Sequence, residues 1–257
     1  MQIRMIHNRI RVLWTAGLLA VLAMSVVGCK QLEARSKMKL GVQSFKGGDF
    51  ETAAKLFKEA AVLDPTLKIA ENYLATAYYQ QYVKDKKDLA SADKAVETFE
   101  KILKRDPADE NAIDGIAGVY QAMKRYDKAR EFYMKHTEVD PSSASAWYAV
   151  ASLDWYIAAP SKETNYDVAN PPDLETQRKL VDEGLQYIDK AIALTPDHAD
   201  AMKFKSLLLL EKVRFSDAGS DDEVRYMNES KEWADKAYAA RQKSEEKKSP
   251  GGIVVGK

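Results

Sequence analysis

Four proline stops set the frame for this chain. Asp64-Pro65, Asp106-Pro107, Asp140-Pro141 and Thr195-Pro196 each close a stretch of helical periodicity, because proline lacks the helical donor and collides with the preceding turn. Counted back from those prolines, the same kinds of residue recur. Twelve residues before them stand Ala53, Ala95, Ala129 and Gly184, and a small side chain there lets two helices approach closely. Eight residues before them stand Phe57, Phe99, Tyr133 and Ile188, bulky enough to fill the crevice left by the small ones. Five before come Ala60, Ile102, His136 and Ala191, one turn farther along the same face. In that series His136 reads as a partly packed helix residue rather than a ligand or base.

The first unit shows the pattern whole, as LGVQSFKGGDFETAAKLFKEAAVLDP from Leu40 to Pro65. It reads as a helix bearing Leu40 and Gly41, a Gly47-Gly48-Asp49 turn, and a second helix with Ala53, Phe57 and Ala60 on one face. Nine and ten residues after each proline lie Leu74-Ala75, Ile116-Ala117, Val150-Ala151 and Lys205-Ser206, a large-small pair that degrades only in the last. Together these positions resemble the tetratricopeptide repeat family. Leu40, Gly41, Ala53, Phe57, Ala60 and Pro65 match in the first unit, and Ile116, Ala117, Tyr120, Ala129, Tyr133 and Pro141 in the third. Pro107 and Pro141 are 34 residues apart, the length of that family's repeat.

The resemblance implies an all-α fold, a right-handed superhelical solenoid of helix hairpins, over residues 36–243 in about five pairs. It further implies that first helices line a concave groove, which places Met38, Val42 and Phe45, then Asn72, Thr76 and Tyr79, toward it. The third and fourth units add Asn111, Asp114, Gly118 and Gln121, then Tyr148, Ser152, Trp155 and Tyr156. The candidate partner-binding residues are therefore Phe45, Asn72, Tyr79, Asn111, Asp114, Tyr148, Trp155 and Tyr156. Tyr and Trp combine large contact area with a hydrogen-bonding end. Trp155 and Tyr156 have a second reading, as residues packed beneath the insertion that follows them.

The irregular spacings mark insertions near 83–90, 159–173 and 215–223. Pro65 to Pro107 is 42 residues, and the Lys84-Asp85-Lys86-Lys87-Asp88 run can absorb the excess by lengthening both helices around a solvated turn. Pro141 to Pro196 is 55 residues, with Pro160 to Tyr166 and Pro171-Pro172 disfavouring helix. Asp173 is placed to cap the next helix. Tyr166, on the insertion, is either part of a tolerated loop or a further partner contact. In the weaker fifth unit a helix from Ala199 to Val213 leads through an acidic turn to a second from Val224 to Arg241. Residues 244–257 read as a disordered tail.

Before the repeats, Arg4, Arg9 and Arg11 precede an uncharged apolar run from Val12 to Val27, the layout of an export signal. Val26-Val27-Gly28-Cys29 resembles the lipobox of bacterial lipoproteins. The likeness implies a signal peptide over 1–28, lipidation (palmitate among the acyl groups) at Cys29, a lipid-anchored linker over 29–35, and, since Lys30 rather than Asp follows, a cell outer membrane facing the periplasm. An unlipidated signal or a retained span are the alternatives. Cys29 is the chain's single cysteine, so no disulfide framework or thiolate metal site is available. Without residues 1–28, 36 basic side chains face 39 acidic ones, a formal charge of −3, which gives no reason to expect a nucleic-acid partner.

Chemistry is poorly provided for. No HExxH, GxSxG, GxxxxGK[ST] or nicotinamide fingerprint occurs, so no catalytic residue, metal ligand or cofactor is expected. Asp217, Asp221, Asp222 and Glu223 lack the ligand order of an EF-hand loop. The reading is a non-catalytic envelope lipoprotein whose repeats bind an envelope protein or peptide, in outer-membrane, secretion or pilus assembly. A binding module for a small molecule or glycan near the fourth repeat is the alternative, and a structural spacer a third.

Overall fold

The computed structural model describes residues 28–159 and 171–248. Among them every regular element is a helix, and the chain is an all-α solenoid of paired helices. It divides into two compact units, residues 1–107 and 108–257. The leader expected before residue 28, most of the 159–173 insertion with Tyr166, and residues 249–257 lie outside the described residues.

The first unit holds α1 (residues 28–46), α2 (Phe50–Leu63), α3 (Ile69–Lys84) and α4 (Leu89–Arg105). The α1–α2 turn works because Gly48 takes φ 76°, a left-handed conformation that costs glycine nothing. Asp49 then caps α2 by accepting from the Thr52 backbone N–H at 3.1 Å. Ala53, Ala54, Phe57, Leu74 and Ala77 form the core, with Met38, Val42, Phe45, Tyr73 and Tyr78 packed against it. Phe57 is fully buried, a burial that contributes about 1.5–3 kcal/mol. The ring lies under Gly41, where an added Cβ would come within 2.6 Å of its Cε1.

Helices of 16 and 17 residues absorb the 42-residue spacing, as expected. Asp88 caps α4 from the intervening turn, accepting from the Ser91 N–H at 3.1 Å. Gln81 donates to the Phe50 carbonyl at 3.0 Å and accepts from the Ser91 hydroxyl at 2.9 Å, tying α3 to both neighbours.

The second unit holds α5 (Glu110–Ala122), α6 (Tyr126–Val139), α7 (Ala144–Ala158), α8 (Leu174–Leu194), α9 (Ala199–Phe215) and α10 (Asp221–Lys248). Asp109, Ser143, Asp173 and the imidazole of His198 cap α5, α7, α8 and α9. One core gathers Ala151, Ala158, Val181, Ile188, Ala191, Ala201, Phe204 and Leu208, and another Tyr126, Ala129, Leu153 and Ile157.

The small positions behave as their spacing requires. Ala53, Ala95 and Ala129 are fully buried, and a Cβ on Gly184 would meet Leu208 Cδ2 at 3.0 Å and Asp154 Cβ at 3.1 Å. Differences concentrate at the ends. Residues 29–35, expected as a linker, are helical within α1, with Ala34 fully buried. At the other end α10 starts three residues earlier than expected and runs on to Lys248, so 244–248 are helical. Aspartates 221 and 222 and Glu223 are its first turn, where acidic side chains complement the helix dipole. The degraded pair of the fifth unit has its own compensation: Ser206 is buried, and Ser230 Oγ donates to its carbonyl at 3.0 Å.

Candidate functional site

On α7 the sequence places Tyr148, Ser152 and Tyr156 four residues apart, hence on one face. With Asp114 and Gln121 of α5 and Phe204 of α9, that face lines a hollow of about 350 Å³ in the second unit. Three predicted residues from two repeats, Asp114 of the third and Tyr148 and Tyr156 of the fourth, thus share one cavity. Tyr133 of α6 borders it and donates to Gln121 Oε1 at 3.4 Å.

Aromatic packing fixes the walls. Tyr148 meets Phe204 edge-on at 5.6 Å and lies 4.9 Å from the His198 ring, while burial, with Asp200 adding its charge, pushes its hydroxyl up to about 12. It therefore stays a neutral donor. Tyr156 stacks on Tyr126 at 5.2 Å. Trp155 does not line the hollow; it packs edge-on to Tyr156 at 5.1 Å and Phe204 at 5.6 Å, against the core.

The other predicted residues are dispersed. Asn111 is exposed and outside the hollow. In the first unit Phe45 is a packing residue, edge-on to Phe50 at 5.2 Å. The Asn72 side-chain oxygen is buried without a hydrogen-bond partner, and burial pushes the Tyr79 hydroxyl upward. A hollow of about 710 Å³ in that unit lies instead among Asp49, Lys55, Tyr78, Lys84 and Lys94 and includes none of these three.

Sequence reasoning missed a buried charge network. Arg130 of α6 pairs with Asp154 of α7 and, at 2.7 Å, with Glu183 of α8. Asp154 is fully buried with one oxygen unpartnered, and burial pushes it up to about 7 against the lowering pull of Arg130. The available signal was its isolation, as the only charged residue in ASAWYAVASLDWYIA.

Residues 89–153 match a family model described as tetratricopeptide repeat. The fold is that of tetratricopeptide repeats. Solved structures agree: a MamA RS-1 double mutant aligns with a TM-score of 0.58 at 16% identity, over 83% of this chain and 97% of that one. A second, MamA from residue 41 to its end from Desulfovibrio magneticus RS-1, gives 0.56 at 16% identity over 80% and 96%. A crystal structure of MamA protein gives 0.57 at 15% identity over 86% and 98%. At such identities the likeness establishes the fold. No curated protein matches the chain.

The tetratricopeptide-repeat architecture supports protein–protein interaction, and the all-helical arrangement of the described residues is consistent with a non-catalytic scaffold. The expected location, lipid-anchored in an outer membrane facing the periplasm, is corrected. No helix among the described residues is long and apolar enough to cross a membrane, and the MamA structures sharing the fold are not described as outer-membrane lipoproteins. Cys29, exposed, stands near the start of α1, so the position read as an anchor point leads directly into folded helix.

Proposed function

We propose that this chain is a non-catalytic scaffold that binds a peptide segment of a partner protein at the α5–α7–α9 hollow of the second unit. The supporting observation is the convergence of Asp114, Gln121, Tyr148, Ser152 and Tyr156 on one cavity. Amide and hydroxyl groups there can satisfy a peptide backbone, while tyrosine rings supply apolar contact at low entropic cost.

A photo-crosslinking amino acid at Gln121, compared with one at exposed Glu131, tests this in cells. A partner captured from position 121 alone, and lost when Ala149→Trp fills the hollow without changing the helical circular dichroism, supports the proposal. Identical capture from both positions refutes it. The same cross-linked peptides test a role in secretion or pilus assembly, which requires that they come from such machinery. The hollow's volume, near the lower end of small-molecule sites at about 300–1,000 Å³, favours a second reading, a small molecule or glycan. Native mass spectrometry of the purified chain would then show a bound mass that Ala149→Trp removes.

A further inference from the structure

His136 sits on α6 one turn before its end, only 5% exposed. Its Nδ1 faces the Asp114 carboxylate within hydrogen-bond distance. An ionised carboxylate can only accept, so Nδ1 carries the proton. The other nitrogen, Nε2, is buried with no hydrogen-bond partner and lies 3.7 Å from Oε2 of Glu110, the first residue of α5. Asp140, four residues after His136, brings a second carboxylate to the same place. Ligand atoms of Glu110, His136 and Asp140 all lie within 4.8 Å of one another.

An imidazole whose Nδ1 is held by one carboxylate and whose unpartnered Nε2 stands beside a cluster of two more becomes, once Nε2 gives up any proton to the metal, the donor arrangement that holds a zinc-type cation. We propose that Glu110, His136 and Asp140 form a site for a divalent d-block cation, Zn²⁺ by its donor set, with Asp114 as the positioning residue. The imidazole argues against Ca²⁺ and Mg²⁺, which take oxygen donors. Metal–ligand bonds of about 2.0–2.2 Å require the three atoms to draw closer than they stand here, and the adjustment falls to Glu110, whose side chain is 52% exposed. The C-terminus of α6, where Asp140 is the capping residue, adds the negative end of a helix dipole. This site adds a ligand role to the packing role that the burial of His136 supports. It shares Asp114 with the partner-binding hollow, but zinc binding to the purified chain is read without any partner present.

The test uses the full chain carrying Cys29→Ser, which removes the single thiol, stripped with chelator and titrated with zinc chloride by calorimetry. One zinc per chain is expected. Glu110→Gln, at an exposed position, and Asp140→Asn should each weaken binding by at least about tenfold, and Asp114→Asn by about 10–100-fold, the usual effect of losing the carboxylate behind a ligating histidine. Cobalt substitution should give the absorption bands of a low-coordinate site, lost in Glu110→Gln. Failure of the parent chain to bind zinc, or affinity unchanged by Glu110→Gln, would overturn the proposal. So would ¹⁵N shifts showing His136 as an imidazolium shared by Asp114 and Glu110 in the presence of zinc.

Discussion

Gly41→Ala is the sharpest test of how the first hairpin packs. On helix propensity alone the change should stabilise α1 by about 1 kcal/mol. The structure opposes that gain, since the new methyl would stand 2.6 Å from Phe57 Cε1 and 2.8 Å from Cδ1, roughly an ångström inside ordinary carbon contact. Phe57 has little room to retreat, being fully buried with its ring 5.1 Å from that of Tyr73. Overpacking of this kind costs about 1–3 kcal/mol, so after the propensity gain the net loss should be up to about 2 kcal/mol. The second arm of a double-mutant cycle is Phe57→Val, which deletes every ring atom the methyl would strike. In that background Gly41→Ala should turn neutral or stabilising, giving a coupling of about 1–3 kcal/mol. Urea denaturation followed by circular dichroism measures the totals, and hydrogen exchange across residues 28–63 localises them. Two losses that simply add, within about 0.5 kcal/mol, would show that Gly41 and Phe57 do not meet and would refute the repeat register.

Four further outcomes are expected. Ala129→Trp, at a fully buried position beside Leu153 and Ile157, should lower the melting temperature far more than Lys128→Trp on the exposed side of the same helix, and equal losses would contradict the α6–α7 packing. Lys124 holds φ 59° just after α5, so Lys124→Gly should raise stability by about 1 kcal/mol in a urea titration. Asp154, at about 7 when folded and about 3.9 unfolded, leaves the native state holding the extra proton between those values. Its contribution is therefore most favourable below pH 4, declines as pH rises to about 7 and is constant above. The ceiling is about 4 kcal/mol, and Asp154→Asn should flatten that slope in urea titrations across pH 4–8. Asp49→Ala should cost about 1 kcal/mol by removing the α2 cap, read by hydrogen exchange in its first turn.

What the sequence showed and hid follows from how each feature is encoded. Helix pairing depends on local spacing and side-chain size, so Ala53, Phe57, Ala95, Phe99 and Ala129 could be assigned to buried faces from their distance to a proline, and they are buried. The length of α10 was hidden because its polar composition reads as coil until it packs along α9. For the site, i, i+4 spacing brought Tyr148, Ser152 and Tyr156 to one face, and α5 added Asp114. Trp155 falls outside that i, i+4 series and packs against the core without lining the hollow.

The charged groups were the least legible, and the reason is physical. Small-to-large packing repeats with the chain's period, whereas Arg130–Asp154–Glu183 and Glu110–His136–Asp140 each join residues from at least two helices and occur once among the described residues. A buried ion pair gives little net stability over apolar replacements; one that links α6, α7 and α8 instead discriminates against slipped packings in which Asp154 would be buried without Arg130. If that is its role, replacing Arg130 and Asp154 together by Met and Leu should preserve or raise the melting temperature while broadening the amide resonances of α7, which would keep the Arg214 bond to the Ala158 carbonyl but lose its ion pair to α6. Sharp, unshifted resonances in that double variant would show that the apolar contacts of Leu153 and Ile157 set the register unaided.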